Sequence, residues 1–220
     1  MGMNPPISAE EIEYLSREGV NTFPENTELY ICPMFYPSGG FIVPEPESTQ
    51  FLLHISVSPL PPQRGFSACS TQFRRPSYEM APTEAKASCL YPNVARGVRE
   101  ANNKGFDTAV VLDPNGNVAE FSYTNLFMIE DGIIHTPAIN GTFLNGITRQ
   151  RTITLLKQDG FEVIERSIAY DELLKADELF ATGNYAKLLP CIQIEDQKLK
   201  PGTIYNRARK LYSEFTLECG

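Results

Sequence analysis

The chain has 220 residues, 42% of them hydrophobic and 21% charged, with a mean hydropathy of −0.23. This composition supports one large or two small domains with a buried core, and it excludes a disordered chain, a collagen-like fibre and a membrane-spanning bundle. Lys and Arg number 19 against 27 Asp and Glu, a net charge of −8. That balance argues against nucleic-acid binding, so an anionic ligand would have to be held by a local pocket rather than by the overall field.

Along the chain, Ser8 followed by Glu11 predicts a capping box that opens a helix to Arg17, with Gly19 as its stop. Residues 28–35 read as a strand, and a Ser38-Gly39-Gly40 turn leads to Phe41-Ile42-Val43. Residues 50–57 and 66–73 are further β runs, bounded by proline. The apolar periodicity lapses over 74–82, which reads as a linker. Beyond it, a helix is expected over 92–104, closed by Gly105. Hairpins follow at 108–112 with 117–121 and at 125–129 with 133–136, the second around Asp131-Gly132. A helix over 147–158 stops at Gly160. Then come a strand at 162–167, a short helix at 170–175, strands at 179–182 and 188–194, and a closing helix over 203–218. Mixed hairpins and helices predict an α+β fold. Its parts are the remainder of a small α/β domain over 1–73, the linker over 74–82 and a larger domain over 83–220.

Five cysteines (Cys32, Cys69, Cys89, Cys191 and Cys219) are scattered without a C-x-x-C pair, and His54 and His135 each sit in an apolar run. A disulfide framework and a metal site are therefore not expected, and a reducing compartment is. With no signal peptide and no apolar run near ~18 residues, the chain reads as cytoplasmic, with no membrane partner. The G-x-G-x-x-G, Walker, H-E-x-x-H and G-x-S-x-G patterns are absent. Two features remain. Lys86 lies between alanines in Pro82-Thr83-Glu84-Ala85-Lys86-Ala87-Ser88, ahead of Tyr91. Gly146-Ile147-Thr148 stands at a helix start, where N–H groups, a hydroxyl and the positive end of the dipole would face an anion.

These features belong to a longer ordered pattern. It runs through Lys86–Tyr91, Gly105-Phe106-Asp107, Val111–Glu120, Asn125-Leu126-Phe127, Asp131-Gly132, Thr136-Pro137, Leu144–Arg149, Ala176-Asp177-Glu178 and Thr182-Gly183. The pattern spans 82–190, and it resembles the class IV (fold-type IV) pyridoxal-phosphate aminotransferases, most closely the branched-chain branch. The resemblance implies a small α/β domain beside a larger pseudo-barrel domain, and pyridoxal 5′-phosphate as cofactor.

On that resemblance Lys86 would be joined to the cofactor as a Schiff base and would then shuttle the proton at the substrate Cα. A lysine amine in an apolar setting suits that work. Glu120 would sit against the pyridine nitrogen and Tyr91 would donate to the phenolic oxygen. Leu144 would pack on the ring, and Gly146, Ile147 and Thr148 would bind phosphate. The position that usually carries a phosphate-binding threonine is Asn184, whose amide can also donate. Tyr30, Tyr185 and Ala186 would meet the substrate, with Tyr185 narrowing the pocket. A homodimer is implied, a small-domain loop of one subunit reaching its neighbour's site.

Two departures stand out. The usual Tyr-Ile-Arg-Pro appears as Tyr30-Ile31-Cys32-Pro33, which removes a guanidinium worth about 1.5–3 kcal/mol to a substrate carboxylate. Arg74 and Arg75 are the nearby candidates to replace it. Family members also begin with a strand hairpin and a phosphate-binding arginine ahead of a phrase like Met3-Asn4-Pro5-Pro6, so a longer parent chain is expected. The readings therefore stand as an aminotransferase for hydrophobic amino and 2-oxo acids, a D-amino acid or (R)-amine transaminase, an aminodeoxychorismate-lyase-like enzyme, or a non-catalytic remnant of the fold.

Overall fold

The computed structural model describes residues 1–218, so Cys219 lies outside the described residues. It divides into one unit from Met1 to Pro61 and a second from Pro62 onward. In the first, α1 (Ala9–Val20) precedes an antiparallel pair, β1 (Leu29–Pro37) and β2 (Thr49–Val57), with Leu29 opposite Val57 and Cys32 opposite His54. Ser8 Oγ accepts the Glu11 N–H at 3.2 Å, the expected cap. Gly19 does not end the helix. A Cβ there would lie 2.3 Å from Ile55 Cδ1, so this glycine serves close approach of α1 to β2. Tyr30 sits on β1, partly buried. Phe41 is 100% exposed and its neighbours Ile42 and Val43 nearly so.

The second unit holds β3 (Phe66–Arg74), α2 (Tyr91–Asn103), β4 (Thr108–Leu112), β5 (Val118–Phe121), β6 (Asn125–Glu130), β7 (Ile133–Pro137) and α3 (Ile147–Gln158). These are followed by β8 (Val163–Arg166), α4 (Tyr170–Leu173), β9 (Glu178–Gly183), β10 (Lys187–Ile194), β11 (Gln197–Lys198) and α5 (Thr203–Glu218). Its sheet runs β5-β4-β3-β10-β9-β6-β7-β8, with β11 on β10. The strand assigned from sequence to the first domain is thus an inner strand of the second unit, parallel to both β4 and β10. The unit boundary falls at Pro61/Pro62 rather than after 73, and 74–82 runs inside the second unit. A parallel pairing with a strand more than a hundred residues away leaves no local sequence trace.

The sheet curls until its edges meet: the Val118 N–H on β5 donates to the Ile168 carbonyl just beyond β8 at 2.8 Å. β6 is buried along most of its length, and successive residues feed opposite cores. Leu126 and Met128 pack with Val110, Leu179 and Ile194, whereas Phe127 and Ile129 pack with Leu156, Phe180 and Tyr205. The β6–β7 turn places Asp131 (φ 50°) and Gly132 (φ 78°) in the left-handed region, as a two-residue hairpin loop requires.

Glu178, buried on β9, accepts the Ile204 and Tyr205 N–H groups at 3.2 and 2.8 Å and so caps α5. A Cβ at Gly202 would collide with that carboxylate, at 2.0 Å from Oε1. Burial pushes the thiols of Cys69 and Cys191 up to about 11 and about 12, leaving both inert near neutrality. Among the described residues, no helix is long and apolar enough to cross a membrane.

Candidate active site

A cavity of about 340 Å³ opens in the second unit, and most of the residues singled out from sequence line it. Lys86 stands on the loop between β3 and α2, and Tyr91 is the first residue of α2. The Lys86 Nζ lies 5.8 Å from the Tyr91 ring centroid. Both side chains are exposed, so Lys86 meets solvent at the cavity rather than the apolar setting expected. Glu120 comes from β5, Leu144 and Gly146 from the loop after β7, and Ile147 and Thr148 from the first turn of α3. Thr182 and Gly183 come from the end of β9, Asn184 from the turn after it, and Tyr212 from α5. Tyr185 and Ala186 lie in the turn that leaves β9 and do not line the cavity, and Tyr185 is exposed.

Glu120 is 3% exposed and is ion-paired with Arg75, which also donates to the Ser122 carbonyl at 3.3 Å. The second oxygen of Glu120 accepts from Asn125 Nδ2 at 3.3 Å. The same nitrogen donates to the Leu144 carbonyl at 2.9 Å. Burial pushes the Glu120 carboxyl up to about 7, even though the charge and hydrogen bond of Arg75 and the charge of Lys86 pull it down. A carboxyl poised near neutrality beside an exposed amine is a mark of functional sites.

Arg75 also lines the cavity, although the sequence offers it only as a substitute for the guanidinium missing at Cys32. Its Nη2 is taken by Glu120 and the Ser122 carbonyl, while its Nε is buried without a hydrogen-bond partner. Asn125, 6% exposed, is in the sequence only part of a motif; in the structure it ties the Glu120 carboxylate to the loop that leads into α3.

At that loop the cap residue Gly146 offers no side chain, and no side chain caps α3. A Cβ on Gly146 would lie 2.4 Å from Asn125 Oδ1, so the loop approaches Asn125 as closely as only glycine allows. The first N–H groups of α3 therefore have no side-chain cap, and Gly146, Ile147 and Thr148 line the cavity. Arg149, 1% exposed, anchors the loop from behind through Asn145 Oδ1 at 3.0 Å, the Pro137 carbonyl at 2.9 Å and Glu165 at 2.8 Å.

This donor set fits pyridoxal phosphate. An accessible amine, a buried carboxylate, an apolar leucine and an uncapped helix start share one cavity. Thr182 Oγ1 is buried there without a hydrogen-bond partner, as a site made to receive further polar atoms would leave it.

Comparison with known proteins agrees with this geometry. Residues 1–194 match the family model "Amino-transferase class IV". The chain is 33% identical, over 96% of its length, to a branched-chain-amino-acid aminotransferase of Pseudomonas aeruginosa, of which it covers 72%. It is 35% identical over 90% of its length to a probable branched-chain-amino-acid aminotransferase of Aquifex aeolicus, of which it covers 65%. The fold superposes with a TM-score of 0.95 and 46% identity on an aminotransferase from Brucella abortus solved with PLP, covering 97% of this chain and 78% of that one. A branched-chain aminotransferase from Thermoproteus uzoniensis with norvaline gives 0.89 at 31% identity, with 99% and 74% covered. With the motifs in order along the chain and their residues gathered in one cavity, the chain belongs to the class IV aminotransferases.

Proposed function

We propose that the chain holds pyridoxal 5′-phosphate in this cavity and moves an amino group between a hydrophobic, branched-chain amino acid and a 2-oxo acid in two half-reactions. The observation that carries this reading is the convergence of Lys86, Glu120 and the α3 start on a single cavity. When bound, the cofactor supplies an aldehyde for covalent attachment and a ring that withdraws electrons from the substrate Cα. Lys86 Nζ holds the cofactor and afterwards carries the proton at that carbon. Glu120 keeps a proton on the ring nitrogen, with Arg75 and Asn125 fixing its two oxygens. Tyr91 donates to the ring's phenolic oxygen, Leu144 packs on the ring face, and the N–H groups of Ile147 and Thr148 with the Thr148 hydroxyl bind the phosphate. Tyr30, Tyr185 and Ala186 are assigned to the substrate on the resemblance alone.

The branched-chain assignment follows the names of the similar proteins. D-amino acid and (R)-amine transaminases stay in competition, because Cys32 stands where the branch carries arginine. A cytoplasmic setting is proposed from cysteine usage. Pairing of two chains is supported by the exposed Phe41-Ile42-Val43 segment, an apolar tip of the kind that marks interaction sites.

The test is half-reaction spectroscopy on purified protein loaded with cofactor. L-leucine or L-valine is expected to convert the aldehyde form to the amine form. Conversion by D-amino acids or (R)-amines alone would move the assignment to those classes. Pyruvate release from an aminodeoxychorismate-type substrate without conversion would move it to the lyase.

A further inference from the structure

The family pattern puts a phosphate-binding hydroxyl at the position of Asn184, and Asn184 has none. In the structure Asn184 is exposed, and its Oδ1 accepts from Lys187 Nζ at 2.8 Å. Two residues earlier, Thr182 is 1% exposed and its Oγ1 has no hydrogen-bond partner. Thr182 lies directly opposite Asn125 in the antiparallel β6–β9 pair, so the two side chains stand on one face of the sheet. Asn125 in turn abuts Gly146 at the uncapped start of α3, and Thr182, Asn125, Gly146 and Thr148 all line the cavity. The twelve-residue helix α3 thus presents its N-terminus beside a buried hydroxyl that the protein itself leaves unused.

We propose that Thr182 supplies the hydroxyl that position 184 lacks, donating to the anionic tail of bound pyridoxal phosphate next to the first N–H groups of α3. The assignment rests on the cofactor reading above and adds to it a residue, a bond and a side of the cofactor. A hydroxyl–phosphate bond is charge-assisted, and its loss is expected to weaken binding by about tenfold or more.

The experiment titrates pyridoxal phosphate, and separately pyridoxal without its phosphate, into the wild-type chain and into Thr182→Val, Thr182→Ser and Asn184→Ala, following cofactor absorbance. Melting of each protein without cofactor is measured alongside. Thr182→Val is expected to lose about tenfold in affinity for pyridoxal phosphate and none for pyridoxal. Thr182→Ser should stay near wild type, and Asn184→Ala should lose less than Thr182→Val. Because valine fills the same space without a polar atom, Thr182→Val without cofactor should melt no lower than wild type. Undiminished pyridoxal phosphate binding by Thr182→Val overturns this assignment alone, as does an equal loss for pyridoxal or a larger loss in Asn184→Ala. A lower melting point for cofactor-free Thr182→Val also overturns it, because the hydroxyl would then have a structural partner. If wild type binds neither compound, the cofactor reading falls, and this assignment with it.

Discussion

Glu120 lies among partners of its own, whereas the α3 start in the same cavity holds donors that the protein does not use. On the Glu120 side, Arg75, Asn125 and the backbone at Ser122 fix an ion pair before any ligand arrives. On the α3 side, Gly146 leaves the helix uncapped and Thr182 keeps an unpartnered hydroxyl. The contrast teaches that one carboxylate is held in position and near its titration point, while the proposed phosphate site offers donors without internal competitors. Asn125 joins the two, with one nitrogen shared between Glu120 and the Leu144 carbonyl.

Breaking the finished side should cost folding stability. Arg75→Met leaves a buried carboxylate without its cation, and a loss of about 3–5 kcal/mol is expected in urea unfolding at pH 8. Breaking the α3 side should cost less stability. Gly146→Ala places a Cβ 2.4 Å from Asn125 Oδ1 and forces that amide off its partners. The expected loss is about 1–3 kcal/mol, with weaker cofactor binding measured by titration.

A smaller effect sharpens the comparison through pH. Glu120 titrates at about 7 in the fold against an ordinary 4.5. Between those values the folded chain keeps a proton that the unfolded chain has released, so stability falls as pH rises through the window. Glu120→Gln should flatten that fall in unfolding curves recorded across it. An unchanged slope would place the titration elsewhere.

Much of the fold was legible because its signals are local. The start of α3 follows from Gly146 ahead of Ile147, and the β6–β7 hairpin follows from Asp131-Gly132, whose backbone angles are those a two-residue loop needs. Lys86, Glu120 and Thr148 were legible as an ordered motif. What sequence did not reveal is set by pairings across the sheet. Phe66–Arg74 looks like any proline-bounded strand, and its parallel neighbours β4 and β10 are remote in sequence, so the domain boundary came out too late.

The pairing of Arg75 with Glu120 was hidden for the same reason. Just past that strand it reads as a candidate for the substrate carboxylate, and only the sheet brings it to Glu120. Thr182 and Asn125 become partners only through the β6–β9 register, so no spacing rule links them. The Ala176-Asp177-Glu178 motif shows no role in the sequence, and the structure supplies one: Asp177 accepts the Asp131 N–H at 2.9 Å and Glu178 caps α5.

The central claim is that the Lys86 amine carries the cofactor, and chemical trapping tests it most directly. Purified chain would be mixed with pyridoxal phosphate, reduced with borohydride and digested, and its peptides weighed. The account predicts one modified peptide, bearing the phosphopyridoxyl mass on Lys86 and lost in Lys86→Arg. A protein left unlabelled at saturating cofactor, or labelled equally well in Lys86→Arg, would contradict it.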